Sequence, residues 1–483
     1  MIPPDPLRLA LAPRSVALIG ASENPNKIGG RPLLYLQRFG YRGRVYPINP
    51  NRPEVQGIRS YPDLASLPET PDLAIIMVAG EGAAAMVEAC AKAGVKVAIC
   101  MASGFAETGT QGAAAEGAMV ALARAHGMRL IGPNSQGLVN FGTGAVASFS
   151  TMFLEAPPED GPVAIISQSG AMSAVPYGLL RGRGIGVRHV HATGNDGDVT
   201  VAELARTVIE DDAVKLLLLY LEAIPDPAML AEVAERARAR DVPIVAVKTG
   251  RSAAGQRAAR SHTGALASED RVVDAFLRQH GIWRAHDIPG LVSAAEMYLK
   301  GWRPSGRRLV AISNSGASCV MAADLADERG MPLAVFAEAT RRKLAAVLPD
   351  FATVTNPIDI TAALLSNSRL FSAILPIVAD DPAADLFLIA LPVAGQGYDI
   401  DAFARDTAEF AAATGKPVAV AAPQALVAER FRAAGIPTFA GETEAVMVLD
   451  QLARHTALMR RPAPAPLPKL AVALPPGPGR LLN

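Results

Sequence analysis

The chain carries no excess of either charge: Lys plus Arg and Asp plus Glu total 46 each in 483 residues. Nothing in that balance draws it to nucleic acid or to an anionic membrane, although local phosphate sites stay open to it. Cysteine is scarce. The three, Cys90, Cys100 and Cys319, fall in apolar runs without CxxC spacing, which argues against a disulfide framework or a zinc site and fits a reducing cytoplasm. Aromatic residues reach only 5%, too few to outline a pocket. No uninterrupted apolar run approaches the roughly 18 residues of a membrane-spanning helix, and the start, MIPPDPLRLALAPRSVALIG, lacks a charged segment followed by a long apolar one. A soluble, cytoplasmic protein is expected.

What the chain does have is hydrophobic mass, 50% against 19% charged residues, enough for large buried cores. At about 100–200 residues per domain its length calls for three. The apolar runs SVALIG, GRVYPINP, LAIIMVA, VKVAICMA and RLIGPN alternate with the helix-like EGAAAMVEACAKAG and AAEGAMVALARAHG. That alternation predicts a parallel α/β unit over residues 1–150. A second series, PVAIISQSG, VRHVHATG, VKLLLLYLEAI and VPIVAVKTG, predicts another over 151–303, and a third runs from RRLVAISNSGA to EAVMVLDQLARHTALM over 304–459. Both later units open on a strand followed by Ser-x-Ser-Gly, so two related flavodoxin-like folds are expected. Residues 460–483, RRPAPAPLPKLAVALPPGPGRLLN, read as an extended Pro/Ala-rich linker toward something beyond.

Ligands of open parallel sheets bind outside the carboxyl ends of the strands, and several polar turns fall there. SVALIG runs into Gly20, Ala21 and Ser22 and on to Lys27. The backbone N–H groups of such a turn suit a phosphate, as they suit a plain structural turn, and Lys27 favours a phosphorylated ligand. The turn is not the G-x-G-x-x-G fingerprint. The next strand ends in Asn49-Pro50-Asn51, where an NAD-binding fold places an acid for the ribose, so an NAD-dependent oxidoreductase is disfavoured. Ser103-Gly104 and Asn134 follow two further strands and are candidates by position, with tight turns as the alternative. In the second unit Ser167-Gln168-Ser169-Gly170 forms a small hydroxyl-bearing loop between strand and helix, a suitable cradle for phosphate oxygens. Gly194-Asn195-Asp196-Gly197-Asp198 adds polar groups at the same edge, or is only a turn.

The most distinctive stretch is VAVKTGRSAAGQRAARSHTGALASED, read as a strand and then a long Gly/Ala/Arg loop carrying Lys248, Arg251, Arg257, Arg260 and His262. A histidine on a small-residue loop at a sheet edge can attack phosphorus, with neighbouring cations neutralising the phosphate. Most lone histidines do no such chemistry. Glu222, closing LLLLYLEA, can orient an imidazole or can be a solvated strand-end acid.

Taken in order, these motifs resemble the ADP-forming acyl-CoA synthetases, in the superfamily of the succinyl-CoA synthetase alpha subunit. VALIGAS…KIG and VYPINPN resemble that family's CoA-binding domain, SQSGA, GNDGDV, YLEAI and SHTGALA its phosphohistidine domain, and ISNSGA and NPIDIT its third ligase-type domain. The resemblance implies a Rossmann-like CoA-binding domain followed by two flavodoxin-like domains, together forming part of an acid:CoA ligase. It implies CoA on Gly20, Ala21, Ser22, Lys27, Asn49, Pro50, Ser103, Gly104 and Asn134. It further implies a phosphorylated His262, oriented by Glu222, with its phosphate on Ser167, Gln168, Ser169 and Gly170. ATP or GTP and Mg²⁺ would enter through an ATP-grasp domain or beta subunit not recognised in these residues. The implied partners are therefore a carboxylic acid, CoA and that domain or subunit, in a homo- or hetero-oligomer, with no nucleic acid and no membrane. Ser135 stands where the succinyl enzyme has cysteine, and Ala317 where a second glycine is common, departures that touch the acyl pocket. The alternative is a CoA-binding regulatory or scaffold protein without turnover.

Overall fold

The apolar runs become three parallel sheets in the computed structural model, which describes residues 5–263, 269–361 and 363–462. The first unit contains β1 (Ser15–Ile19), β2 (Arg44–Ile48), a small hairpin of β3 (Glu54–Val55) and β4 (Ile58–Arg59), then β5 (Leu73–Ile76), β6 (Val97–Cys100) and β7 (Arg129–Ile131). Its five parallel strands take the order β2-β1-β5-β6-β7. Every residue of β1, β5 and β6 is buried, because helices cover both faces and leave no place for a polar alternation. The winding reverses between β1 and β5, and a crevice opens at such a switch point beyond the strand ends.

The second sheet is built from β8 (Gly137–Asn140), β9 (Ala145–Ser148), β10 (Val163–Ser167), β11 (Val187–Ala192), β12 (Leu216–Leu221), β13 (Ile244–Lys248) and β14 (Trp283–Ala285), in the order β14-β13-β12-β10-β11-β8-β9. β8 and β9 precede residue 150, yet they join this sheet: β8 runs antiparallel to β11, with Val139 opposite Val190. The first unit packs back on this hairpin through helix Arg31–Arg38, whose Tyr35 hydroxyl donates to Ser150 O at 2.5 Å. Asp198 makes a second joint. It accepts from Arg124 Nε at 2.6 Å, Arg129 Nε at 3.0 Å and the Leu130 N–H at 2.8 Å, all from the first unit.

The third sheet, β15 (Leu309–Ser313), β16 (Ile358–Asp359), β17 (Leu386–Ala390), β18 (Val418–Ala421) and β19 (Thr438–Phe439), has the order β16-β15-β17-β18-β19. Counted from its first parallel strand, the second sheet follows the same 2-1-3-4-5 order, so the two flavodoxin-like units expected from the repeated Ser-x-Ser-Gly are present. They share one core, in which Leu291, Met297 and Tyr298 of the second unit join Val446, Leu449 and Leu452 of helix Glu442–Met459. At that seam Tyr298 donates its hydroxyl proton to His455 Nδ1 at 2.8 Å, and His455 Nε2–H donates to Gly281 O at 3.0 Å. Burial holds His455 near pKa 4, so the ring is neutral. Among the described residues no helix is long and apolar enough to cross a membrane.

Candidate active site

The turns singled out in the first unit lie side by side along the carboxyl edge of its sheet. Asn49 and Pro50 follow β2, Gly20 to Ser22 follow β1, Ser103 and Gly104 follow β6, and Asn134 follows β7. Asn49 Nδ2 donates to Ala21 O at 2.9 Å, and Gln56 Nε2 donates to Ser22 O at 2.8 Å and Gly30 O at 2.9 Å. Side-chain amides thus shape the β1 turn. Gly20 adopts φ +84°, and a Cβ on Gly29 would come within 2.5 Å of Gly20 O, so the turn folds back on itself more tightly than any side chain permits. Lys27 is left exposed on its outer side. These residues form a cradle of backbone and one cation, suited to a phosphorylated ligand. Ser103 and Gly104 are exposed as well, with the Gly104 N–H donating to Glu107 Oε1 at 2.6 Å.

Asn134 also lines a cavity of about 330 Å³ between the first and second units, together with Gln168, Ser169, Gly170 and Glu222. The loop after β10 is built from its own side chains. Ser167, fully buried, donates its hydroxyl to Ser169 O at 2.6 Å and accepts the Ser169 N–H at 3.0 Å. Gln168 Nε2 donates to Asp196 Oδ2 at 2.7 Å, while its Oε1 accepts the N–H groups of Glu222 and Ala223. Both side chains therefore hold the loop. What the loop offers a ligand is backbone: the N–H groups of Gly170 and Ala171, opening helix Ala171–Gly182, have no acceptor among the described residues. Two such donors at the positive end of a helix dipole form an anion seat.

Sequence reasoning did not pick out Met101 and Phe149, which wall the same cavity, nor Asp196 individually. Nothing local marks Met101 or Phe149, since the cavity meets them only after distant segments pack. Asp196 was visible only as one member of a turn. Its neighbour Gly194, at φ +70°, passes so close to Pro133 that any Cβ would collide with the Pro133 carbonyl oxygen. Gly194→Ala is expected to lower stability by roughly 2–4 kcal/mol, from backbone strain plus overpacking. Urea unfolding reads this directly, and a change under about 0.5 kcal/mol, the size of an ordinary surface effect, would show that the joint yields.

The stretch after β13 differs from the expected loop: it is helical over Ala253–Thr263. Ala, Gln and Arg are good helix formers and outvote the single Gly255, and Ser252 starts the helix by accepting the Gly255 N–H on its hydroxyl at 3.0 Å. Nor is Lys248 on a loop. It closes β13, buried, with Nζ donating to Thr249 O at 2.7 Å, and burial with help from Arg284 lowers its pKa. Arg251 and Arg257 are exposed. The helix lies against the turn Ala106–Thr108 of the first unit. The side chains of Arg260 and His262, and residues 264–268, lie outside the described residues. No group of three or more His, Cys, Asp or Glu among the described residues is placed to hold a metal ion.

Comparison with known proteins follows the same division. Residues 14–140 match the model of a CoA binding domain and residues 160–298 that of a succinyl-CoA ligase like flavodoxin domain. Over 382 residues the chain is 35% identical to the alpha subunit of acetate–CoA ligase [ADP-forming] II of Pyrococcus furiosus, covering 79% of this chain and 81% of that one. It is 33% identical over 446 residues to acetate–CoA ligase [ADP-forming] I of Archaeoglobus fulgidus, covering 92% of this chain but only 63% of that longer one. The solved dinucleotide forming acetyl-coenzyme A synthetase 1 of Ca. Korarchaeum cryptofilum, in complex with phosphate and ADP, superposes with a TM-score of 0.84 at 28% identity, over 94% of this chain and 97% of that one. The chain belongs to the family of ADP-forming acyl-CoA ligases, which it matches over their alpha-subunit part, and so to the acid–thiol ligases.

Proposed function

We propose that this chain carries the acyl-transfer half of a nucleoside-diphosphate-forming acid:CoA ligase, with His262 as the covalent phosphate carrier. A carboxylate oxygen attacks phosphorus of the phosphohistidine, the P–N bond breaks, and its electron pair returns to the imidazole. The CoA thiolate then attacks the carbonyl carbon of the acyl phosphate and inorganic phosphate leaves. Glu222 orients the imidazole. The N–H groups of Gly170 and Ala171 hold the phosphate, with Ser167 and Gln168 keeping their loop in shape. CoA lies along Gly20 to Lys27, Asn49 and Pro50, and passes Ser103 and Gly104 to reach Asn134. ATP or GTP and Mg²⁺ enter through an ATP-grasp domain or beta subunit. The units then divide as 1–150 for CoA, 151–303 for phosphohistidine and 304–459 for the second flavodoxin-like domain, with β8 and β9 lending their strands across the first boundary.

The observation that carries this reading is the cavity, where the free donors of one helix end meet Glu222 and the edge of the CoA-binding sheet. Incubating the purified chain with inorganic phosphate and a series of acyl-CoAs, beginning with acetyl-CoA, is expected to add one acid-labile phosphate, seen by intact mass. A chain that binds CoA yet takes up no phosphate with any acyl-CoA overturns it in favour of a regulatory CoA-binding protein.

A further inference from the structure

A second cleft, of about 390 Å³, lies where the two flavodoxin-like units meet, and it shares no residue with the cavity of Glu222. From the second unit it is lined by Arg278 of helix Asp270–Gln279 and by Trp283 and Arg284 of the edge strand β14. From the third it is lined by Arg307, just before β15, by Arg454 near the end of helix Glu442–Met459 and by Arg461 just past it. Asp274 pairs with Arg278 at 2.6 Å and stands 3.8 Å from Arg284, which also bonds Asp270. Asp450 pairs with Arg307 at 2.6 Å and stands 3.6 Å from Arg454. The Arg461 side chain has no partner among the described residues. Five guanidinium groups thus share three carboxylates.

The positive charge is undercompensated in depth as well as at the mouth. Arg284, whose side chain keeps only 6% of its surface exposed, and Arg307 each hold a buried Nε with no acceptor among the described residues. Cations gathered without matching acceptors repel one another, and a bound polyanion relieves that repulsion. The groups that would meet it are open to solvent: the side chains of Arg278 and Arg454 are 64% and 51% exposed, and Arg461 is exposed. Arg307 gives Nη2 to Asp450 at 2.6 Å and to Arg329 O at 3.4 Å, while its Nη1 makes no hydrogen bond among the described residues. Guanidinium groups grip phosphate oxygens through two parallel N–H···O bonds. The rest of the lining is largely apolar, with Ile282, Trp283, Ala457 and Leu458, of which Trp283 and Leu458 are half-buried. A bare phosphate would leave the indole unused, whereas an aromatic base can lie on it while its phosphates reach the arginines.

We propose that this cleft binds a nucleoside di- or triphosphate, with its phosphates on Arg278, Arg454 and Arg461 and its base against Trp283. Since these arginines belong to both flavodoxin-like units, the bound nucleotide fastens one unit to the other. The inference does not rest on the catalytic reading, because the cleft would take a nucleotide whether or not the chain turns over.

The test is titration of the full chain with ADP, ATP, CoA and inorganic tripolyphosphate, followed by tryptophan fluorescence and by calorimetry. The chain has two tryptophans and Trp302 is buried, so Trp283 is the one a ligand can reach. ADP and ATP are expected to quench it, ATP binding the tighter through its extra phosphate. Arg454→Gln combined with Arg461→Gln changes two exposed side chains, which spares the fold, and should weaken ATP and tripolyphosphate at least about tenfold. Trp283→Leu, read by calorimetry, should weaken ATP and leave tripolyphosphate as it was. Saturating CoA, itself a nucleoside diphosphate derivative, should leave the ADP quench in place. The idea is overturned if neither nucleotide binds, if the double variant binds ATP as the wild type does, or if CoA displaces ADP, which would put ADP in the phosphate cradle of the first unit. Tripolyphosphate binding as tightly as ATP, in the wild type and Trp283→Leu alike, overturns the assignment of a nucleotide.

Discussion

His262→Ala is expected to abolish phosphate uptake from acyl-CoA and inorganic phosphate, a loss of at least about a thousandfold, as befits removal of a covalent carrier. CoA affinity should change little, because the turn from Gly20 to Lys27, proposed to hold the CoA phosphates, is shaped by Asn49 and Gln56 without His262. The remaining histidines offer no substitute. His189 bonds Asp211 through Nε2 at 3.0 Å and His191 through Nδ1 at 3.1 Å, and His191 also accepts the Val139 N–H on Nδ1 at 3.3 Å. Both rings are buried with both nitrogens in use, as is His455. His126, His280 and His286 line no part of the cavity. Glu222→Gln should slow phosphorylation by about 10–100-fold, the usual effect of losing the group that orients an imidazole. Quenched-flow intact mass distinguishes the two, since the glutamine variant still reaches one phosphate per chain. Full phosphorylation of His262→Ala would move the carrier elsewhere and remove the basis of the scheme.

The second large effect is on stability. Asp198→Ala is expected to cost about 3–5 kcal/mol at pH 7, because it strips a fully buried carboxylate from two arginines and a backbone N–H. Arg129, only partly exposed, keeps Glu203 at 2.6 Å but loses its second partner, and the Leu130 N–H is left unpaired beside it. Burial alone would raise the pKa of Asp198. The hydrogen bonds from Arg129, Leu130 and Arg124 outweigh it and hold the carboxyl below its usual value. A depressed carboxyl stabilises the fold above its unfolded pKa, near 4, and that contribution is lost as pH falls through the folded value. The gap between wild type and variant in urea unfolding should therefore be widest at neutral pH and close towards pH 3. An equal gap at both ends would mean that packing, not charge, holds the joint.

Much was legible before any fold was known. Runs such as LAII and LLLLYL are apolar at every position because both faces of their sheets are covered, so they announce parallel strands without ambiguity of face. Once strands and helices alternate, topology places every post-strand turn at one edge, and Gly20, Ser103, Asn134, Ser169 and Glu222 could be assigned there unseen. The repeated Ser-x-Ser-Gly foretold a repeated fold because a strand-to-helix turn is a local event. Legibility ended where contacts are long-range. Gly137–Asn140 and Ala145–Ser148 are short apolar strands that could have paired within either unit, and only the antiparallel fit to β11 decides it. The stretch Ala253–Thr263 has the Gly, Ser and Arg of a ligand loop, but its alanines prefer a helix and decide its form. Gln168 has the residue type of a ligand-binding loop, but its carbonyl and amide are taken by Glu222 and Asp196, 54 and 28 residues away. That Asp196 Oδ1 is buried with no hydrogen-bond partner among the described residues could not be foreseen at all. Whether a carboxylate is solvated, paired or neutral depends on what surrounds it in three dimensions, and that environment exists only after the two sheets have closed over it.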